Sequence, residues 1–193
     1  MELPRRKNIR LKGYDYSSEG AYFITICIES RGNVLGEIRN GERMLNEYGV
    51  IVDECIDQIA TLHDGIEINH KTVMPNHIHF IMSIVGGAYY APQDIGKLSM
   101  QEKSKMIVPK MVQQFKTATV KRCKEIGLHD NGLHNMQPLR WQRGYYEHII
   151  RDEKEYLQIW HYIDENPARW EEDEYYYGKT DYHQKRRSNC GGA

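Results

Sequence analysis

The sequence has no run approaching the roughly 20 consecutive apolar residues that a bilayer-spanning helix requires, so no membrane partner is expected. Cysteine is scarce as well. The four present (Cys27, Cys55, Cys123, Cys190) lie far apart with no CxxC pair, which argues against a zinc ribbon or a disulfide framework and predicts free thiols. The basic opening MELPRRKNIRLKG has no apolar segment behind it of the kind a secretory signal carries, so the cytoplasm is the expected location. Net charge is almost absent too: 26 Lys and Arg against 27 Asp and Glu leave −1.

What is there belongs to an ordinary globular protein. Hydrophobic residues make up 40% of the chain and charged ones 27%, which excludes disorder as the main theme. A chain of 193 residues can bury one real core, so a single domain over 1–193 is expected. The near-neutral total hides strong segregation. Residues 1–13 carry Arg5, Arg6, Lys7, Arg10 and Lys12 against Glu2, within an expected basic arm over 1–20. Residues 101–125 carry seven Lys or Arg against Glu102 and Glu125, while EEDE at 171–174 concentrates the opposite sign. The tyrosine-rich tail over 171–193 is assigned no fold.

The residue patterns predict an ordered series of elements. AYFITICIES (21–30) is aromatic and β-branched, a strand signal; NVLGEIRNGERML (33–45) folds two short extended pieces around Asn-Gly, the strongest hairpin signal. A helix follows from Asn46 as N-cap, with Val50, Ile51, Cys55, Ile59 and Leu62 at helical spacing. Residues 65–85 read as two strands meeting at Met74-Pro75-Asn76. An amphipathic basic helix is expected over 104–126, a strand with a turn or bulge at Gly144 over 139–150, and a helix over 151–167, acidic at its start and stopped by Pro167. This order predicts an α+β domain, with helices packed on one face of a mainly antiparallel sheet and the other face left for a ligand.

Two histidines open the second strand of the 65–85 pair. Alternation places His77 and His79 on one face and Ile78, Phe80 and Met82 on the other. The apolar set has a core to enter, so the histidines are expected to look toward solvent or a cleft. About 7 Å apart at Cα, they are either half-exposed hydrogen-bonding residues or two ligands of one divalent ion. The helix EYLQIWHYIDENP carries an apolar stripe of Tyr156, Ile159, Trp160 and Ile163, with Tyr162 and Asn166 one turn apart on its flank. That spacing suits a nucleophile and a metal ligand. It equally suits a boundary tyrosine and a C-terminal cap.

MPNHIHFI, WQRGYYEHIIRDE and YIDENPARW, in this order and spacing, resemble the HUH-type single-tyrosine transposases, and more narrowly their REP-associated tyrosine transposase branch. The opening RRKNIRLKGYDYSSEGAYFITIC is similar to that group too, so the resemblance spans most of residues 5–170. It implies a ferredoxin-like (RRM-like) sheet, His77, His79 and Asn166 as ligands of Mg²⁺ or Mn²⁺, and Tyr162 as a nucleophile that forms a 5′-phosphotyrosine. The implied partner is single-stranded or hairpin DNA. The wider group includes monomers and homodimers, and both states stay open.

Charge then points to DNA contacts at Arg5, Arg6, Lys7 and Arg10 of the arm and at Lys110, Lys116, Lys121, Arg122 and Lys124 of the basic helix. Trp141 and Arg143 of WQRGYYEH join this set, with Tyr145 and Tyr146 as candidates for base stacking. The plainer alternatives are a solvated helix face and core aromatics, with His148 a satisfied structural histidine. Two other functions stay in view: a catalytically silent hairpin-binding protein, and a metallohydrolase whose nucleophile is water.

Overall fold

The computed structural model describes residues 15, 17–30, 32–85, 106–127 and 138–176. Its elements run β1 (Gly20–Cys27), β2 (Gly36–Arg39), β3 (Glu42–Leu45), α1 (Glu47–Leu62), β4 (Ile66–Val73), β5 (His77–Ile84), α2 (Ile107–Glu125), β6 (Tyr146–Ile150) and α3 (Glu153–Glu165), ending in a 3-10 turn at Trp170–Glu172. β1, β4, β5 and β6 form one sheet in the order β4-β5-β1-β6, with every neighbouring pair antiparallel. Four strands in that order with α1 and α2 as connections make a ferredoxin-like α+β fold.

The small β2–β3 hairpin turns at Asn40-Gly41, both with positive φ (53° and 78°), as a two-residue type I′ loop demands. It leads into α1, whose N-cap Asn46 accepts from Gly49 N at 3.0 Å and donates to Val34 O at 2.8 Å. This tie leaves no room at Gly49. A Cβ there would lie 2.1 Å from the Leu35 carbonyl oxygen. Alanine is favoured over glycine by about 1 kcal/mol inside a helix, yet such a backbone overlap costs about 1–3 kcal/mol. Gly49→Ala is therefore expected to lower stability by a net ~0–2 kcal/mol, read as a lower urea midpoint; a raised midpoint would show that the hairpin can retreat freely.

The main core lies between the sheet and α1 with α2. Tyr22, Ile24 and Ile26 of β1 and Ile78, Phe80 and Met82 of β5 meet Val52, Ile56, Val108 and Phe115 there. One expectation needs correction: of the three helices among the described residues, only two share this face. α3 crosses the opposite face, where Phe23, Ile81 and Ile150 form a second apolar patch that takes Ile163. The reason is legible in β5 itself. FIMSIV is a nearly continuous apolar run, the pattern of a strand covered on both sides. Among the described residues Cys27, Cys55 and Cys123 are free thiols, and no helix is long and apolar enough to cross a membrane.

Candidate active site

His77 and His79 stand on the α3 side of β5, but not in the open. They are 0% and 1% exposed, against the expectation of a solvent-facing pair, because α3 and the turn after it cover that part of the sheet. Both rings are held from behind. His77 Nδ1 donates to Asn76 Oδ1 at 2.8 Å, and Asn76 Nδ2 donates to the Tyr175 carbonyl at 2.7 Å. His79 Nδ1 lies 2.8 Å from the hydroxyl of Thr25, its partner across β1. A hydroxyl both donates and accepts, so Thr25 satisfies either tautomer of His79.

The Nε2 atoms of the two histidines thereby face each other at 2.9 Å. Burial pushes His77 down to about 4, outweighing the opposing pull of the Asp173 carboxylate. It pushes His79 well below the usual imidazole range, with His77 adding to the effect. Both rings are therefore neutral near pH 7, the form that ligates metals.

Tyr162 projects from α3 toward this pair, 42% exposed, with its hydroxyl 3.4 Å from His79 Nε2. Its ring stands edge-on to Phe23 at 6.0 Å, and Phe23 stacks on His79 at 5.2 Å. The phenol is pushed up to about 12, by burial first and then by Asp173 and Glu174, while a hydrogen bond from Asn166 works the other way. Asn166, just past α3 and 4% exposed, donates from Nδ2 to Asp173 Oδ2 at 2.9 Å. Its Oδ1 is buried with no hydrogen-bond partner among the described residues. Leaving such an oxygen unsatisfied costs about 1–3 kcal/mol, and a cation is one partner that would satisfy it.

Asp173 was not anticipated from the sequence. Past the 3-10 turn it folds back over the sheet, its Oδ1 accepting from Tyr175 N at 2.7 Å while the Tyr175 ring lies 4.6 Å from that of His77. One ligand atom each from His77, His79 and Asp173 fall within 4.8 Å of one another. The acidic EEDE stretch directly after the tyrosine helix was the available signal, but it registered only as charge segregation. The donor set of two neutral imidazoles and a carboxylate fits a divalent cation. The 2.9 Å between the nitrogens is close to the ~3.0 Å that separates cis ligands of an octahedral ion with bonds of about 2.1 Å.

The expected DNA contacts are spread more widely. Arg5, Arg6, Lys7 and Arg10 lie outside the described residues. α2 packs on the sheet face away from the histidines, so its basic residues are not brought to the site. Lys110, Lys121 and Lys124 are exposed there, Lys121 pairing with Glu125 at 3.7 Å. Arg122 bonds Glu54, and Lys116 donates to the carbonyls of Gln142 and Gly144 at 2.8 and 2.9 Å. The Trp141 indole donates to Thr119 Oγ1 at 2.9 Å, packing beside Phe115. Arg143 is exposed in the segment leading to β6, and Tyr146 is exposed on the site face. His148 is engaged by Glu155 at 2.7 Å.

No protein-family model matches the chain. A Haemophilus influenzae protein, itself uncharacterised, is 37% identical over 178 residues, covering 90% of this chain and 94% of its own. A second H. influenzae protein, provisionally named a REP-associated tyrosine transposase, is 23% identical over 164 residues, covering 80% of this chain and 74% of its own. Among solved structures, a REP-associated tyrosine transposase bound to a REP hairpin superposes with a TM-score of 0.51 at 19% identity, covering 88% of this chain and 74% of that one. A provisionally named transposase from Deinococcus radiodurans gives 0.45 at 21% identity, covering 80% and 96%.

Proposed function

We propose that the chain acts as the REP-associated tyrosine transposases to which it is similar, cleaving and rejoining single-stranded or hairpin DNA with Tyr162 as the nucleophile. The observation that carries this reading is the gathering of one ligand atom each from His77, His79 and Asp173 within 4.8 Å of one another, with Tyr162 Oη 3.4 Å from His79 Nε2. His77, His79, Asp173 and Asn166 would hold Mg²⁺ or Mn²⁺ there. When bound, such an ion neutralises charge on the non-bridging phosphate oxygens.

Tyr162 Oη attacks the phosphorus, the bond to the 3′ oxygen breaks, and that oxygen leaves with a proton as a free 3′-hydroxyl. The phenolic proton is lost and the chain retains a 5′-phosphotyrosine. Attack by a 3′-hydroxyl reverses the step, so strands are rejoined without ATP. Tyr162 stands 3.4 Å from the histidine pair of its own chain, which supports attack in cis. Hairpin DNA as substrate is supported by the complex of the structural relative. Exposed Arg143, Lys110, Lys121 and Lys124 are left for phosphate contacts.

The test is incubation with hairpin DNAs labelled at either end, with Mn²⁺ or Mg²⁺, resolved on a denaturing gel. The expected product is a covalent adduct that keeps the DNA 3′ of the cut and is lost with EDTA. Cutting without an adduct would favour a water nucleophile, and tight binding without cutting a silent hairpin-binding protein. Since the phenol is held up near 12, the rate of adduct formation is expected to rise between pH 6.5 and 9, by up to about tenfold per unit. A flat profile would count against the phenol as the attacking group.

A further inference from the structure

We propose that His70 is a positioning residue for the tyrosine helix, aimed at α3 by a β-bulge at Asn69; this rests on the reading of Tyr162 as nucleophile. β4 starts with Ile66 and Ile68 opposite Ile84 and Met82, on the core side of the sheet. Continued regularly, it would send residue 70 to the same side, against α1 and α2. The register shifts between Ile68 and His70, so Asn69 is the extra residue, its Oδ1 accepting from Ser83 Oγ at 2.5 Å. Beyond the shift the parity is reversed. His70 and Thr72 now stand opposite Ile81 and His79 on the site face, while Lys71 and Val73 take the core side. Bulges of this kind re-aim side chains next to functional sites.

The re-aimed imidazole meets α3 at two points. It lies flat on Trp160, with ring centroids 4.0 Å apart and planes within 3°, and its Nε2 stands 2.8 Å from Asp164 Oδ1. Trp160 and Asp164 are one helical turn apart and bracket Tyr162, two residues to either side. Apolar packing alone holds this helix lightly, because Ile163 is its one fully buried residue. At the other end Glu155 takes His148 Nε2 and Arg151 N, both at 2.7 Å, which secures the first turn but not the turn that carries Tyr162. His70 therefore adds a polar hold beside the nucleophile to the apolar seat of Ile163, and fixes rotation about the helix axis and with it the 3.4 Å approach of Tyr162 Oη to His79. Misplacing a reacting group by about 1 Å can cost on the order of 100-fold in rate, whereas DNA contacts elsewhere are unaffected.

The experiment compares wild type, His70→Ala and His70→Gln, the last retaining a donor toward Asp164. Three quantities are measured: the single-turnover rate of adduct formation on saturating hairpin DNA with Mn²⁺, the Kd for that hairpin, and hydrogen exchange of the α3 amides. For His70→Ala we expect a rate about tenfold lower or less, an unchanged Kd and α3 exchange about tenfold faster, with His70→Gln recovering part of both losses. An unchanged rate, or a Kd that weakens in step with it, overturns the assignment. If wild type itself forms no adduct on any hairpin, the transposase reading fails instead. In that case α3 exchange decides the clamp alone, with wild-type protection in His70→Ala overturning it.

Discussion

Tyr162→Phe is expected to bind hairpin DNA as tightly as wild type and to form no covalent adduct with it. The substitution removes one oxygen. The ring keeps its edge-on contact with Phe23 and its place beside His79, and the lost hydroxyl makes a long 3.4 Å contact from a 42% exposed side chain. Stability should therefore change by less than ~1 kcal/mol. Cleavage, by contrast, loses its nucleophile, and removing one of a group of residues that act as a unit costs more than about 10³-fold. The result discriminates between the three functions. A phosphotyrosine enzyme loses adduct and cleavage together; a hydrolase with a water nucleophile keeps most of its turnover; a silent hairpin-binding protein shows no difference between the two chains. Retention of cleavage in the variant would sink the assignment of Tyr162.

Much of the frame that brings Tyr162 to the histidines was legible beforehand. The Asn-Gly turn, the two strands meeting at Met74-Pro75-Asn76 and the 3.6-residue stripe of Tyr156, Ile159, Trp160 and Ile163 are local signals, and each element formed as its residues indicated. What escaped depends on contacts distant in sequence. Alternation along β5 told which face the histidines share, but not that α3 and Tyr175 would close over it, because covering is decided some 80 residues later. Asp173 follows a short 3-10 turn with no periodicity to read, and its role comes from folding back over the sheet. The bulge at Asn69 is similarly silent: INHKTV has no glycine or proline to announce it, and only pairing with β5 reveals the change of parity at His70. Positive charge on α2 was correctly seen, yet charge alone does not say which face of a sheet a helix will cover.

The burial of the histidine pair carries a second large effect, on stability in mild acid. In metal-free protein His77 is pushed from the ordinary 6.5 down to about 4, so between those values the unfolded chain binds a proton that the folded one refuses. The His77 contribution to stability must then fall as pH drops from about 6.5 toward 4 and level off below that, where His77 is protonated in both states. Two and a half pH units correspond to about 3 kcal/mol, and His79, lowered by the same burial and by its neighbour, acts in the same direction. The measurement is the urea midpoint in EDTA from pH 7.5 to 4.5, against a His77→Gln, His79→Gln chain as control. Wild type should lose at least about 2 kcal/mol more than the control across that window, since both histidines contribute. Saturating Mn²⁺ should steepen the loss, because protons and the cation compete for the same Nε2 atoms and the cation stabilises only the folded chain. Parallel curves for the two chains in EDTA would show that the pair takes up protons without unfolding. The neutral, inward-facing imidazoles that the proposed metal site requires would then be wrong.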